Sequence, residues 1–178
     1  MKYLVFSDIH GSLFYANKIK SIIQEAGKCK VVLLGDLYYH GPRNNLPQEY
    51  NPKEVCNILN GFKDKILCCK GNCDAEVDEM ISSFKFKKHI KLKISNKRFM
   101  FTHGHKYNKD NIPKNVDVLV YGHFHTGFIK KVGQTLCVNS GSVSLPKNNT
   151  ENSYLIIDHN TILLKEISTN RELDRATF

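Results

Sequence analysis

Short apolar runs that stop abruptly at a polar cluster recur along this 178-residue chain, and they restrict the folds open to it. The run Lys2–Phe6 stops at Asp8-Ile9-His10, and "VVLLGD" at 31–36 stops at Gly35-Asp36. "KILCCKGNCD" runs into Gly71-Asn72-Cys73-Asp74. Later runs end at Thr102-His103-Gly104-His105 and Gly122-His123-Phe124-His125. In open α/β sheets ligands bind outside the carboxyl ends of the strands, where loops converge and the strands hold them rigid. Five such clusters in one chain therefore predict one shared site.

Between the runs the first half reads as strand, loop and helix in alternation. Leu13, Ala16, Ile19, Ile22, Ile23 and Ala26 recur at helical spacing, which predicts a helix over 12–26 closed by Gly27. Asn51 and Pro52 predict the cap and first residue of a second helix. Such alternation implies parallel strands with crossover helices. The second half is different: short strands are expected at 87–94, 97–102, 117–121, 128–132, 135–138, 153–158 and 161–167. "KVGQT" and "DHNT" read as hairpin connections, and "TNRELDRATF" reads as a frayed tail over about 169–178. The expectation is one α/β domain over 1–178 with two sheets.

A hydrophobic content of 41% with 24% charged residues suits a globular chain of this length. No apolar run approaches the ~20 residues that cross a bilayer, and the N-terminus reads as a strand and not a signal peptide. A cytoplasmic location is expected, with the six cysteines reduced and mostly buried. The net charge of +9 admits nucleic acid as a partner. The lysines are spread along the chain, however, so the charge reads mainly as solubility with some attraction for phosphate esters.

The candidate ligands Asp8, His10, Asp36, Asn72, His103, His123 and His125 are all oxygen or nitrogen donors. That set suits Mn²⁺, Fe²⁺, Ni²⁺ or Zn²⁺ and disfavours a thiolate zinc site. Seven donors over-supply one tetrahedral ion and fit two ions bridged by a carboxylate. Each cluster alone is an ordinary turn, helix cap or solvent-facing pair; their joint occurrence at strand ends is not.

These motifs resemble the calcineurin-like metallophosphoesterase superfamily, with its pattern D-x-H, G-D, G-N-[HC]-[DE], H and G-H-x-H. The chain carries "SDIHG", "GDLYYHGPRN", "KGNCDAEVD", "FTHGHKYN", "VYGHFHTG" and "VNSGSVSLPKN". Within the superfamily it looks most like the small bacterial YfcE-type phosphodiesterases, over nearly its whole length. The resemblance implies a four-layer αββα sandwich, two mixed β-sheets flanked by helices. It implies that Asp8, His10 and His125 hold one divalent ion, that Asn72, His103 and His123 hold another, and that Asp36 bridges. Mn²⁺ is the first expectation, with Ni²⁺, Fe²⁺ or Zn²⁺ as alternatives. The implied reaction is attack of a metal-bound hydroxide on the phosphorus of a small phosphodiester.

Most superfamily members have histidine after the Gly-Asn, where it helps protonate the leaving oxygen. Here that residue is Cys73, a poor acid near pH 7, which reads equally as packing filler. Arg43 reads equally as a phosphate clamp or a surface-loop arginine. Asp74 reads as a helix cap or as a partner that orients a ligand, and "NSGSVS" as a turn supporting the site. His105 and His40 are expected to line the cleft, and His89 and His159 to be surface residues. Two other readings stand beside the phosphodiesterase: a nuclease or cyclic-nucleotide esterase, and a non-catalytic interaction scaffold on the same fold. Exposed sheet edges allow a homo-oligomer without requiring one.

Overall fold

The computed structural model describes residues 1–178. Strands β1 (Lys2–Phe6), β2 (Cys29–Leu33) and β3 (Ile66–Cys69) pair in parallel, linked by helices α1 (Leu13–Glu25) and α2 (Pro52–Asn60). Both helices begin as their sequences dictate. Ser12 Oγ accepts from the Tyr15 N–H at 3.4 Å and Asn51 Oδ1 from the Glu54 N–H at 3.2 Å. Each cap satisfies one of the orphan donors of a helix start. Ala16, Ile19 and Ile23 on α1, with Val55, Cys56 and Leu59 on α2, form the faces that the helices bury.

Alternate residues of the central strands enter two different cores. Leu4, Phe6, Val31, Leu33 and Cys68 meet the helices, while Val5, Val32 and Cys69 point to a second sheet. A sheet buried on both faces needs such near-continuous apolar runs. Each large buried side chain contributes about 1.5–3 kcal/mol by leaving water.

A third helix, α3 (Glu76–Ile81), precedes β4 (Phe86–Lys87), which pairs in parallel with β3. The second half builds β5 (Ile90–Ile94), β6 (Lys97–Phe101), β7 (Val118–Tyr121), β8 (Gly127–Val132), β9 (Thr135–Ser140), β10 (Ser153–Asp158), β11 (Thr161–Glu166) and β12 (Glu172–Thr177). The larger sheet runs β12-β11-β10-β1-β2-β3-β4 and the smaller β5-β6-β7-β9-β8. Both are mixed, and they pack face to face around Phe99, Phe101, Val120, Leu155 and Ile162. The two-sheet α/β sandwich is the expected one. Its helices lie over the larger sheet, whereas Tyr107, Ile112 and Val116, from the segment between β6 and β7, pack against the outer face of the smaller. No helix is long and apolar enough to cross a membrane.

Two expectations are corrected. The strand expected over 87–94 is two strands in different sheets, with the chain passing between them at Lys88-His89. Apolar residues fall at Phe84, Phe86, Ile90, Leu92 and Ile94, so the alternation would turn Lys88 inward at its break. An unpaired buried ammonium is too costly, and the chain changes sheet there. The tail is not frayed: β12 pairs antiparallel with β11. Its charges belong to an edge strand, where they discourage pairing with other chains. Leu173 and Phe178 hold it down, the Phe178 ring lying edge-on to Phe99 at 4.8 Å.

Candidate metal centre

The carboxyl ends of β1, β2, β3, β6 and β7 meet at one place and bring all seven candidate ligands to it. Five of the seven, Asp8, His10, Asp36, His123 and His125, have positive φ between 50° and 65°. A non-glycine residue held there costs of order 1–3 kcal/mol, so the surrounding contacts must impose it. They are visible. The Asp8 N–H donates to the Gly35 carbonyl at 3.1 Å and the His10 N–H to the Asp36 carbonyl at 2.9 Å. Ser142 and Ser144 hydroxyls both donate to the Asp8 carbonyl, at 2.8 and 2.9 Å, so "NSGSVS" does support the site.

On one side Asp8 Oδ1 lies 3.3 Å from His125 Nε2 and 3.7 Å from His10 Nε2. The two Nε2 atoms are 3.3 Å apart. Both rings have Nδ1 against a backbone carbonyl, Tyr39 at 2.7 Å and Leu145 at 2.6 Å. A carbonyl only accepts, so each Nδ1 carries its hydrogen and each Nε2 of the neutral rings presents a lone pair. Asp8 Oδ2 accepts from Ser7 Oγ and from the His123 N–H, but Oδ1 is buried with no hydrogen-bond partner. Three acceptors facing one another favour a positive charge between them, carried by a proton or by a metal ion.

The other side repeats the pattern. His103 Nδ1 donates to the Leu34 carbonyl at 2.9 Å, leaving Nε2 at 2.9 Å from Asn72 Oδ1 and 3.1 Å from His123 Nδ1. Asp36 sits between the groups, its Oδ2 3.4 Å from His103 Nε2 and 3.8 Å from His10 Nε2. Its Oδ1 accepts from the Cys73 N–H at 2.8 Å. Burial disfavours charged rings at His10 and His103, but Asp8 and Asp36 outweigh it, raising His10 and pushing His103 up to about 9. Burial and the neighbouring His103 then drive His123 down to about 4. Burial also works against an ionised Asp8, yet His10, His125 and His103 hold its carboxyl well below the usual range. The cluster is built around positive charge, and its donor set fits divalent metal ions.

Asp74 works one layer out. Its carboxylate accepts from the N–H groups of Asp36, Leu37 and Gly71, and so ties the β2 and β3 loops together. It does not cap α3, whose first turn is held instead by Asp78 accepting from the Ala75 N–H. Burial pushes Asp74 up to about 6 despite those three bonds.

Beside the cluster opens a cleft of about 460 Å³ that reaches Tyr39, Arg43, Asn44, Cys73 and Lys147. Lys147 was not expected from sequence; nothing in its residue type marks it, and only its place just after the serine turn could have. His40 is corrected: its ring lies between Tyr39 and Tyr50 and does not line the cleft. His105 lines a neighbouring cavity instead. All six cysteines are free, and Cys73 alone is only half-buried. Burial, then the charge of Asp36, pushes its thiol up to about 12.

Gly122 shows how tightly this end is built. A methyl group there would overlap Ser7 Oγ and lie 2.6 Å from Asp8 Oδ2. Gly122→Ala should therefore destabilise the protein by about 2 kcal/mol, lowering Tm by roughly 4–8 °C in thermal unfolding. An unchanged Tm would mean that Ser7 and Asp8 are not fixed as described.

Residues 1–161 match the family model of the calcineurin-like phosphoesterase superfamily domain. Phosphodiesterase YfcE of Escherichia coli strain K12 is 38% identical over 165 residues, 91% of this chain and 90% of that protein. The solved structure of Yfce, described as a phosphoesterase from E. coli, superposes with a TM-score of 0.96 at 34% identity over 99% of each chain. Vps29 of Entamoeba histolytica complexed with zinc reaches a TM-score of 0.63 at 20% identity over 99% of each chain, a likeness of fold.

Proposed function

Because the chain belongs to the calcineurin-like phosphoesterase superfamily, we propose that it is a phosphodiesterase that hydrolyses small phosphodiesters with two divalent ions. One observation carries the reading: the facing lone pairs of His10 and His125 around the unbonded Asp8 Oδ1, repeated at His103, with Asp36 between. Asp8, His10 and His125 would hold one ion and Asn72, His103 and His123 the other, with Asp36 reaching both. Mn²⁺ is the ion we assign first, with Ni²⁺, Fe²⁺ and Zn²⁺ serving the same donors. Divalent ions, when bound, supply a nucleophile at neutral pH and positive charge against the phosphoryl oxygens.

The chain's own groups do the rest. Asn72 offers an amide oxygen without adding negative charge, so an anionic ester is not repelled. Arg43 and Lys147 stand in the cleft with no acidic partner, and Arg43 can pair bidentately with phosphate oxygens. Tyr39, 42% exposed, offers an apolar wall to an ester arm. Cys73 keeps its proton at neutral pH and gives it up reluctantly, which favours esters whose leaving group departs unaided. Free thiols throughout accord with the cytoplasmic placement.

The test is hydrolysis of bis(p-nitrophenyl) phosphate. Chelator-stripped protein should be inactive, and added Mn²⁺ should restore turnover without restoring any fold. Full turnover in stripped protein would contradict the reading.

A further inference from the structure

A second cavity, of about 430 Å³, shares no lining residue with the cleft of Arg43 and has no part in the proposal above. It opens between the end of β3, the crossing from β4 to β5, and the loop after β6. Its walls carry Lys70, Lys88, His89, His105 and Lys106, and no carboxylate. Lys70 is paired with Glu79, but Lys88 and Lys106 are exposed and their ammonium groups have no partner. The cavity adjoins the ligands directly. Gly71 and Thr102 in its floor precede Asn72 and His103, and the His105 ring lies 5.5 Å from His103 and 6.1 Å from His123.

Lysines spread over a surface normally repel one another apart, and water screens them. Here the strand break at Lys88 and the loop at Lys106 hold two unpaired ammonium groups around one concave site beside a phosphate-binding centre. We propose that this cavity is an anion subsite that receives a second phosphate of the substrate, so that the favoured diesters carry a phosphomonoester on one arm. The subsite rests on the phosphodiesterase reading of the metal centre. A phosphoryl group at the metals would then have Arg43 and Lys147 in its own cleft and Lys88 and Lys106 in the neighbouring cavity. A terminal phosphate suits the subsite because its two negative charges match two unpaired cations.

The experiment is calorimetric titration of the Mn²⁺-saturated protein with two products that differ by one group, thymidine 5′-phosphate and thymidine 3′,5′-bisphosphate. The bisphosphate should bind about tenfold more tightly at low salt, the scale of one or two charge-assisted contacts. In the double variant Lys88→Ala, Lys106→Ala the ratio of the two affinities should fall to near one. The double variant Lys91→Ala, Lys93→Ala removes the same charge from the exposed side of β5 and should leave the ratio as it was. Equal binding of both nucleotides to the unaltered protein would overturn the subsite, as would an equal loss of the ratio in both variants, which would assign the preference to net charge. Failure of the underlying reading looks different: bis(p-nitrophenyl) phosphate would not be cleaved and neither nucleotide would bind.

Discussion

Asp36→Asn should lower phosphodiester turnover by at least ~10²-fold while leaving the protein folded. The carboxylate has two separate duties. Oδ1 accepts from the Cys73 N–H, and Oδ2 lies within 4 Å of an imidazole nitrogen from each half of the site, His103 and His10. Asparagine keeps the size and one oxygen but loses the charge that would draw two cations together. Its amide nitrogen would point a donor either at the Cys73 N–H or into the metal cluster, and neither position wants one. Folding should survive because the variant is relieved of the burial of a charge and of the repulsion from Asp8, which offsets part of what it loses with His103 and the Cys73 N–H. Circular dichroism and thermal unfolding establish the fold, and turnover of bis(p-nitrophenyl) phosphate at saturating Mn²⁺ establishes the loss. Near-normal turnover in the folded variant would contradict the bridging role.

Cys73→His should have the opposite sign, and only for some substrates. The thiol, pushed up to about 12 by burial and by Asp36, is a weak proton donor at neutral pH. An imidazolium at the same place is a competent one. A nitrophenyl ester leaves as a stable anion and needs little help, whereas an alkyl or ribose ester needs a proton. The variant should therefore gain up to ~10²-fold on alkyl esters, the range of a positioned general acid, and change little on nitrophenyl esters. Residue 73 is half-buried on the open cleft, and the gain requires that the imidazole fit there without displacing Asn72, whose amide lies 3.3 Å from the Cys73 Sγ. Equal changes for both ester classes, with both metals retained, would mean that Cys73 is packing filler.

Much of this site was legible because its chemistry sits at predictable places. An apolar run followed by Asp, Asn or His marks a strand end, and parallel strands gather their ends together. The order of "SDIHG", "GD", "GNCD", "THGH" and "YGHFH" thus picked out seven candidate donors that the fold brings together. What escaped was whatever depended on the third dimension. Lys88 looked like one lysine among many on a strand, yet it marks the crossing between two sheets and turns toward the metal centre's flank. The charges of Glu172, Asp174 and Arg175 looked like a solvated tail because an edge strand and a loose end share that composition. Lys147 sits at the cleft beside His125, whose carbonyl accepts the Lys147 N–H, a contact between two separate motifs that the sequence does not show. Cover for the outer face of the smaller sheet comes from scattered Tyr107, Ile112 and Val116, which have no periodicity to read.

The central claim is that this chain assembles a site for two ions and not one. After saturation with Mn²⁺ and removal of the excess, elemental analysis should approach two ions per chain. Asp8, His10 and His125 would account for one and Asn72, His103 and His123 for the other, with Asp36 shared. A firm value of one ion per chain, with full phosphodiesterase activity, would contradict it.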